Sequence, residues 1–442
     1  MITARAFAGK HYAVLGLARS GLATVEALLA SGARVTAWDD KLLPGEGRDP
    51  GGGGAAVPAA LDPGLRRGTD IANLNEVDLS GFDSIVVTPG LPLNRHPIAQ
   101  RARDAGVEVI GDIELFARAR AELPPHKVVG ITGTNGKSTT TALVHHILKS
   151  AGVPTEMGGN IGLPILAQDP LPEGGVYVLE LSSYQVDLTQ SLDCDVAVLL
   201  NITPDHLDRY GSFEAYRESK LRLFEMQCDP MHASVIGEHE FTDIVPNPTL
   251  LIAPHWAKLA EQPPALAGPH NLQNIACALA TVEALEIGLK AEDEVIQAAL
   301  RTFPGLPHRM ERVAEKEGVL FVNDSKATNP TATAPALAAF SKIRWILGGQ
   351  AKTDNLDECA PYFGHVASAY TIGEAADLFE RLLSPHIPVK NCGKLDVAVR
   401  EAATDAAAGD TVLLSPACAS FDQFRDFEER GDAFRELVGA LR

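Results

Sequence analysis

The chain has 442 residues, 45 % of them hydrophobic, which is more than one core usually organises and enough for two or three. Its 38 Lys and Arg against 57 Asp and Glu give a formal charge of −19, which excludes nonspecific binding to nucleic acid or an anionic membrane, since both demand a basic footprint. A polyanionic substrate must instead meet local clusters of donors.

The opening MITARAFAGKHYAVLGLA has too short an apolar stretch for a secretion signal. Lys10 to Gly16 form a short apolar run, Gly21 to Ser31 are helix-patterned and Ala33 to Trp38 are strand-like, so a βαβ unit opens the chain. Gly16-Leu-Ala18-Arg19-Ser20-Gly21 imitates the G-x-G-x-x-G fingerprint, and Asp39 ends the next strand where a ribose-binding acid belongs. Ala18 replaces the glycine that lets backbone approach a pyrophosphate. This weakens a dinucleotide site and leaves open one for another diphosphate nucleotide. Pro44 to Pro63, with Gly51 to Gly54, lacks periodicity and reads as a flexible loop inside the first domain. Strands are predicted at Ser84 to Thr88, ending in Pro89 and Gly90, and at Val107 to Ile110.

After Leu123-Pro124-Pro125, Lys127 to Thr132 leads through glycines into a helix predicted from Lys137 to Ser150. In Gly130-Ile-Thr-Gly-Thr-Asn-Gly-Lys137-Ser138-Thr139 the backbone N–H groups and a helix N-terminus converge where phosphate oxygens can sit. Lys137 is expected on the β and γ phosphates and Ser138 on Mg²⁺. The spacing departs from G-x-x-x-x-G-K-S, because Ile131 holds the first glycine position.

Strands at Val176 to Leu179 and Val196 to Leu200 continue this domain. Glu180 at the first strand's end suits a second Mg²⁺ ligand or the positioning of a metal-bound water, against the plainer reading of a solvated strand end. Asn201 to Tyr210 follows the second, with Asp205, His206 and Asp208 in one loop. A third α/β start follows Pro304-Gly305-Leu306-Pro307, with strands predicted at Val319 to Val322, Arg344 to Leu347, Ala369 to Ile372 and Thr411 to Leu414. The six cysteines are scattered, without a Cys-x-x-Cys pair, and read as reduced thiols. No apolar run is long enough to span a bilayer, so a soluble, cytoplasmic protein is expected.

Together these residues resemble the Mur ligase family. GTNGKST, GGNIG at 158 to 162, ELSSYQ at 180 to 185, TPDHLDRYGS at 203 to 212, YRESK at 216 to 220, GPHNLQN at 268 to 274, LPHR at 306 to 309 and NDSKATNP at 323 to 330 stand in that family's order. SPACASFDQFRDFEERG at 415 to 431 resembles its D-glutamate-adding branch. The likeness covers nearly the whole chain.

The resemblance implies an α/β chain of three domains: a Rossmann-like UDP-substrate domain over 1–115, a P-loop-type ATPase domain over 116–305 and a Rossmann-like amino-acid-binding domain over 306–442. It implies an ATP-dependent amide ligase adding D-glutamate to UDP-N-acetylmuramoyl-L-alanine through an acyl phosphate, in peptidoglycan precursor synthesis. The partners are then small molecules, with two Mg²⁺ ions and a monomeric protein. Position by position, Gly133, Thr134, Asn135, Gly136, Lys137, Ser138 and Thr139 match the phosphate loop, and Ser138 and Glu180 match Mg²⁺ ligands. Lys220 matches a lysine carbamylated by CO₂, whose carbamate, with His206, serves the second Mg²⁺. An ammonium repels a cation, and conversion to a carbamate reverses its sign.

Asn271, Asn274, Arg309 and Asp324 match positions on ATP. Arg19, Ser20, Asp39 and Gly90 are expected on the UDP substrate, and Asn160, Ser182 and Gln185 on its muramoyl side. Lys326, Thr328, Lys352, Ser420, Phe421 and Phe427 match positions that receive glutamate, with His308 orienting its amine. Lys137, Lys220, His206, His308 and Lys326 are the residues expected in the chemistry. Two features depart from the branch: Asp40 and Lys41 stand where it commonly has Thr and Arg, and the span from Cys228 to Gly268 is shorter, as if a peripheral hairpin were missing. A folylpolyglutamate synthase would not ordinarily open with a separate nucleotide-type domain, and a nicotinamide dehydrogenase is opposed by Ala18 and the central loop.

Overall fold

The computed structural model describes residues 1–40, 68–237, 250–252, 266 and 269–441. The Gly- and Pro-rich stretch Pro44 to Pro63 and Lys41 lie outside these residues, as does most of the shortened span after Cys228.

Three sheets succeed one another along the chain. The first comprises β1 (His11–Leu15), β2 (Arg34–Trp38), β3 (Thr69–Ile71), β4 (Ser84–Val87) and β5 (Glu108–Ile110), with α1 (Arg19–Ala30), α2 (Pro97–Ala105) and α3 (Asp112–Ala119). Its strands are all parallel, in the order β3-β2-β1-β4-β5. The order reverses beside β1, so the loops after β1 and β4 part at the carboxyl edge, where open α/β sheets bind ligands.

The second sheet comprises β6 (His126–Thr132), β7 (Thr155–Gly159), β8 (Gly175–Glu180), β9 (Val196–Leu199), β10 (Ala233–Ile236) and β11 (Leu250–Ile252). They are parallel in the order β11-β10-β9-β6-β8-β7. Around them run α4 (Lys137–Ser150), α5 (Ser183–Asp187), α6 (Leu207–Tyr210), α7 (Phe213–Glu225), α8 (Pro269–Ala284) and α9 (Glu294–Thr302). Every residue of β8 and β9 is buried, as expected of strands covered on both faces.

The third sheet comprises β12 (Glu311–Lys316), β13 (Val319–Asn323), β14 (Ile343–Gly348), β15 (Val366–Ile372), β16 (Val389–Gly393) and β17 (Thr411–Leu414), in the order β12-β13-β17-β14-β15-β16. Only β12 is antiparallel. Its helices are α10 (Pro330–Ala339), α11 (Ala376–Leu383), α12 (Leu395–Asp405) and α13 (Phe427–Ala440).

The chain divides into two compact units, one of Met1–Glu261 and Pro269–Thr302 and the other of Gln262–Gly268 and Phe303–Arg442. Within the first unit, the first two sheets share a core. Ile2, Phe7, Val14, Val25 and Leu28 join Val128, Leu166, Leu179 and Leu199 in one buried cluster around α3. The Phe116 ring of α3 meets that of Tyr177 on β8 edge-on at 5.1 Å. Glu114, buried, accepts hydrogen bonds from the backbone of Gln190 and Ser191, the Ser191 hydroxyl and Arg118. Among the described residues all six cysteines are free, and no helix is long and apolar enough to cross a membrane.

Candidate active site

The loop Gly133 to Gly136 joins β6 to α4. Gly136 is left-handed (φ +84°), and a Cβ there would stand 2.2 Å from Asn274 Oδ1, so glycine is required. Asn274 donates from Nδ2 to Asn271 Oδ1 at 3.0 Å, and both are buried on α8 against the loop. Asn201, after β9, braces the other side: its carbonyl accepts from Thr134 N at 2.8 Å and its Oδ1 from Asn135 N at 2.9 Å. Lys137 opens α4 and folds back, donating to the carbonyls of Gly133 (2.9 Å) and Thr134 (2.8 Å). Ser138 is buried behind it and Thr139 is half-buried. The predicted loop residues and both asparagines are thus brought together around a helix N-terminus.

Lys220, on α7, is 1 % exposed and donates to the same Gly133 carbonyl at 2.8 Å. Its Nζ stands 4.7 Å from the Tyr216 ring centroid. Burial, reinforced by Lys137, holds its amine well below the ordinary lysine range. The Tyr216 hydroxyl lies 3.2 Å from Thr134 Oγ1, tying α7 to the loop. His206 precedes α6 in a left-handed conformation (φ 53°), rare for a non-glycine residue. Its ring packs between those of Tyr184 (5.0 Å) and Tyr216 (6.0 Å), and burial keeps it neutral to lower pH than usual.

Glu180, at the end of β8, is 2 % exposed, which removes the reading of a solvated strand end. Asn160 donates from Nδ2 to its Oε1 and from its backbone N–H to its carbonyl, both at 2.9 Å. Its other oxygen, Oε2, is buried without a hydrogen-bond partner among the described residues. An unpaired buried carboxylate oxygen is what a cation site leaves open. Among the described residues no three His, Cys, Asp or Glu side chains converge. A cation here would therefore lean on Ser138, Glu180 and phosphate oxygens, the few-carboxylate set typical of Mg²⁺ with a nucleotide. Ser182 and Gln185 cap α5 reciprocally, the Ser182 hydroxyl accepting from Gln185 N while Gln185 Oε1 accepts from Ser182 N. The spacing S-x-x-Q carries that signal.

On the first sheet, Asp39 accepts from Leu17 N at 2.7 Å and so holds the loop after β1. Arg19 and Ser20 open α1, and Arg19 reaches the Gly162 carbonyl at 3.4 Å. Gly90 lies exposed beyond β4. Asp40 accepts from Trp38 Nε1 (3.0 Å), Asn75 Nδ2 (3.0 Å) and His96 Nε2 (2.7 Å). The sequence reading did not single out Asp112. It is buried at the start of α3 and lines a small cavity with Ser20, Thr24 and Thr88 at the switch point; desolvation pushes its carboxyl up to about 6.

In the second unit His308, 5 % exposed, is left-handed (φ 60°), and Asn323 Nδ2 donates to its Nδ1 at 3.0 Å. Burial lowers its pKa, and its ring meets that of Phe427 at 6.1 Å. The Lys326 ammonium stands 3.9 Å over the Phe427 ring, a cation–π contact. Asp324 accepts from Ser415 Oγ (2.8 Å) and Met310 N (3.2 Å), beside Arg309, and burial pushes its carboxyl up to about 7. Lys352 Nζ donates to Thr328 Oγ1 at 3.4 Å. Ser420 is buried and Phe421 is 70 % exposed. Arg430 also escaped the sequence reading. It is buried with no carboxylate partner among the described residues, donating to Ser325 Oγ and O and to the Cys418, Gly348 and Ala419 carbonyls, and so knits together the loops that bear Lys326 and Ser420.

Three family models match the chain: "Mur ligase MurD-like, N-terminal domain" over residues 10–111, "Mur ligase middle domain" over 131–247 and "Mur ligase, glutamate ligase domain" over 308–418. The chain is 59 % identical to the UDP-N-acetylmuramoylalanine--D-glutamate ligase of Novosphingobium aromaticivorans, covering 100 % of this chain and 97 % of the relative. It is 56 % identical to the protein of that name from Sphingopyxis alaskensis, over 100 % of both. Among solved structures, UDP-N-acetylmuramate-alanine ligase from Thermotoga maritima superposes with a TM-score of 0.59 at 16 % identity, covering 98 % of this chain and 99 % of that one. MurF ligase from the same organism, in complex with ADP, gives 0.58 at 17 %, covering 98 % and 95 %. At such identities the superpositions speak for the fold. With three domain models in order and full-length identity well above half, the chain belongs to the Mur ligase family.

Proposed function

We propose that the chain is an ATP-dependent ligase that joins the amine of D-glutamate to the alanyl carboxylate of UDP-N-acetylmuramoyl-L-alanine, releasing ADP and phosphate on the way to peptidoglycan precursors. The observation carrying the phosphate chemistry is the convergence of Lys137 and Lys220 on the Gly133 carbonyl at a helix N-terminus. The choice of substrates follows the printed names of the full-length relatives.

A carboxylate does not condense with an amine in water unaided. The γ-phosphoryl passes first to the alanyl carboxylate, the amine attacks the resulting acyl phosphate, and phosphate leaves. Lys137 and the N–H groups from Thr134 to Thr139 bind the transferred group, with Asn271, Asn274, Arg309 and Asp324 on the rest of ATP. Ser138 and Glu180 would hold one Mg²⁺, and His206 with a carbamate on Lys220 a second; these ions would offset phosphoryl charge. The depressed amine of Lys220 supports this reading, because only a neutral amine captures CO₂. The glutamate amine must also attack uncharged. His308, kept neutral by burial, orients it, while Lys326, Thr328, Lys352, Ser420, Phe421 and Phe427 receive the amino acid. Arg19, Ser20, Asp39 and Gly90 take the UDP portion, and Asn160, Ser182 and Gln185 the muramoyl side. Domain boundaries near 115 and 305, a monomeric state and a cytoplasmic location complete the proposal.

Phosphate release is measured with ATP, Mg²⁺, UDP-N-acetylmuramoyl-L-alanine and one amino acid at a time. D-glutamate should stimulate release; comparable kcat/KM with meso-diaminopimelate would overturn the assignment.

A further inference from the structure

We infer that Gln168 is a positioning residue that clamps the glycine loop 158–162 and thereby fixes the Glu180 carboxylate through Asn160. The inference rests on the reading of Glu180 as a Mg²⁺ ligand.

Gln168 is 6 % exposed and follows a short helical turn, Ile165–Ala167. Its single amide NH₂ donates two hydrogen bonds, to the Met157 carbonyl at 2.8 Å and the Leu163 carbonyl at 3.0 Å. These carbonyls flank the loop, so one side chain pins both of its stems. Between them the chain presses hard on β8: Gly159 is left-handed (φ +86°), and a Cβ there would lie 2.2 Å from the Glu180 carbonyl. At the loop's tip Asn160 makes its two bonds to Glu180 and occupies Oε1, leaving Oε2 open.

The amide is not retained for packing. Its own Oε1 is buried and unpaired among the described residues, a penalty that an apolar side chain of equal length would avoid. What an apolar residue cannot supply is the pair of donors. The sequence of contacts therefore runs from Gln168 through the loop stems to Asn160 and on to Glu180.

The test compares Gln168→Met and Asn160→Ala, singly and combined, in the full-length protein. If Gln168 acts through Asn160, Gln168→Met should raise the apparent Mg²⁺ activation constant about tenfold and leave the KM for D-glutamate unchanged. The same substitution in the Asn160→Ala background should add nothing. Additive effects in the double variant, or an unchanged Mg²⁺ requirement, would overturn the clamp. A crystal structure of Gln168→Met supplies a readout independent of activity: the Asn160–Glu180 contact should lengthen or break, and its retention also overturns the proposal. Should Gln168→Met not fold, Gln168→Leu reads the same contact. Absence of D-glutamate-dependent turnover in the unsubstituted protein would instead remove the functional reading, leaving the clamp to be judged on the crystal structure.

Discussion

Replacing Lys220 by methionine separates a structural lysine from a chemical one. The ammonium makes one charged hydrogen bond, to Gly133 O at 2.8 Å, worth about 1.5–3 kcal/mol. Against that stand its desolvation and the repulsion from Lys137, which together depress its pKa. The Gly133 carbonyl keeps Lys137 as a donor at 2.9 Å, so no acceptor is orphaned, and methionine refills the volume. The opposing contributions leave a net change within about 1–2 kcal/mol, which for a unit of this size moves Tm by less than about 8 °C. Catalysis should respond differently. Loss of the carbamate should cut turnover at least about a hundredfold, equivalent to about 2.7 kcal/mol of barrier. Phosphate release and thermal unfolding are measured on the same preparations. Unsubstituted protein stripped of CO₂ should lose activity and recover it with bicarbonate, and Lys220→Met should not respond. Near-normal turnover of Lys220→Met, or a collapse in Tm with activity unchanged per folded molecule, would refute the reasoning.

Lys137→Ala should leave the melting profile nearly intact and lower turnover at saturating ATP about a hundredfold or more, as phosphate-release kinetics will show. Lys352→Ala should raise the KM for D-glutamate about tenfold, one charged contact's worth, while the KM for ATP changes much less. Asp112 should make stability pH-dependent, because its carboxyl rises on folding from its ordinary 3.8 to about 6. Its contribution is fully present below about pH 4 and is lost as pH rises through about 6. Relative to Asp112→Asn, the unsubstituted protein should therefore lose up to about 3 kcal/mol between pH 4 and pH 8 in urea unfolding.

The strands legible in the sequence were the central ones. β1, β4, β6, β8, β9 and β17 are apolar runs buried on both faces, and their predicted ranges agree with the observed ones within one residue. Those that went unread lie toward sheet edges or carry polar or glycine-rich sequence. Thr69–Ile71 has three residues, Thr155–Gly159 ends in two glycines, and Glu311–Lys316 is only partly buried. Pairing with a neighbour, rather than periodicity, makes them strands. The site divides along the same line. Gly133 to Thr139 stood out because a glycine-rich turn between a strand and a helix is contiguous in sequence, whereas Asn201, Gln168 and Arg430 act through partners 66 to 72, 5 to 11, and 11 to 105 residues away, through contacts no local pattern encodes. The Ser182–Gln185 capping box was a local signal that the reading passed over.

The core shared by the first two sheets also acts as a ruler. Helix α3 has its apolar residues Ile113, Leu115 and Phe116 fully buried in that core, and its Glu114 is bonded to the loop before β9, so sliding one sheet against the other would break packing and a buried ionic network together. The loop after β1 and the glycine loop after β6 are consequently held at one spacing. If, as proposed, a ligand is anchored by its nucleotide at the first, its other end would reach the second only if the intervening length were right. On the proposed function, shortened or extended analogues would bind by one end and remain unreactive at the other, and selection by length would then belong to the scaffold rather than to the side chains at the reacting atoms.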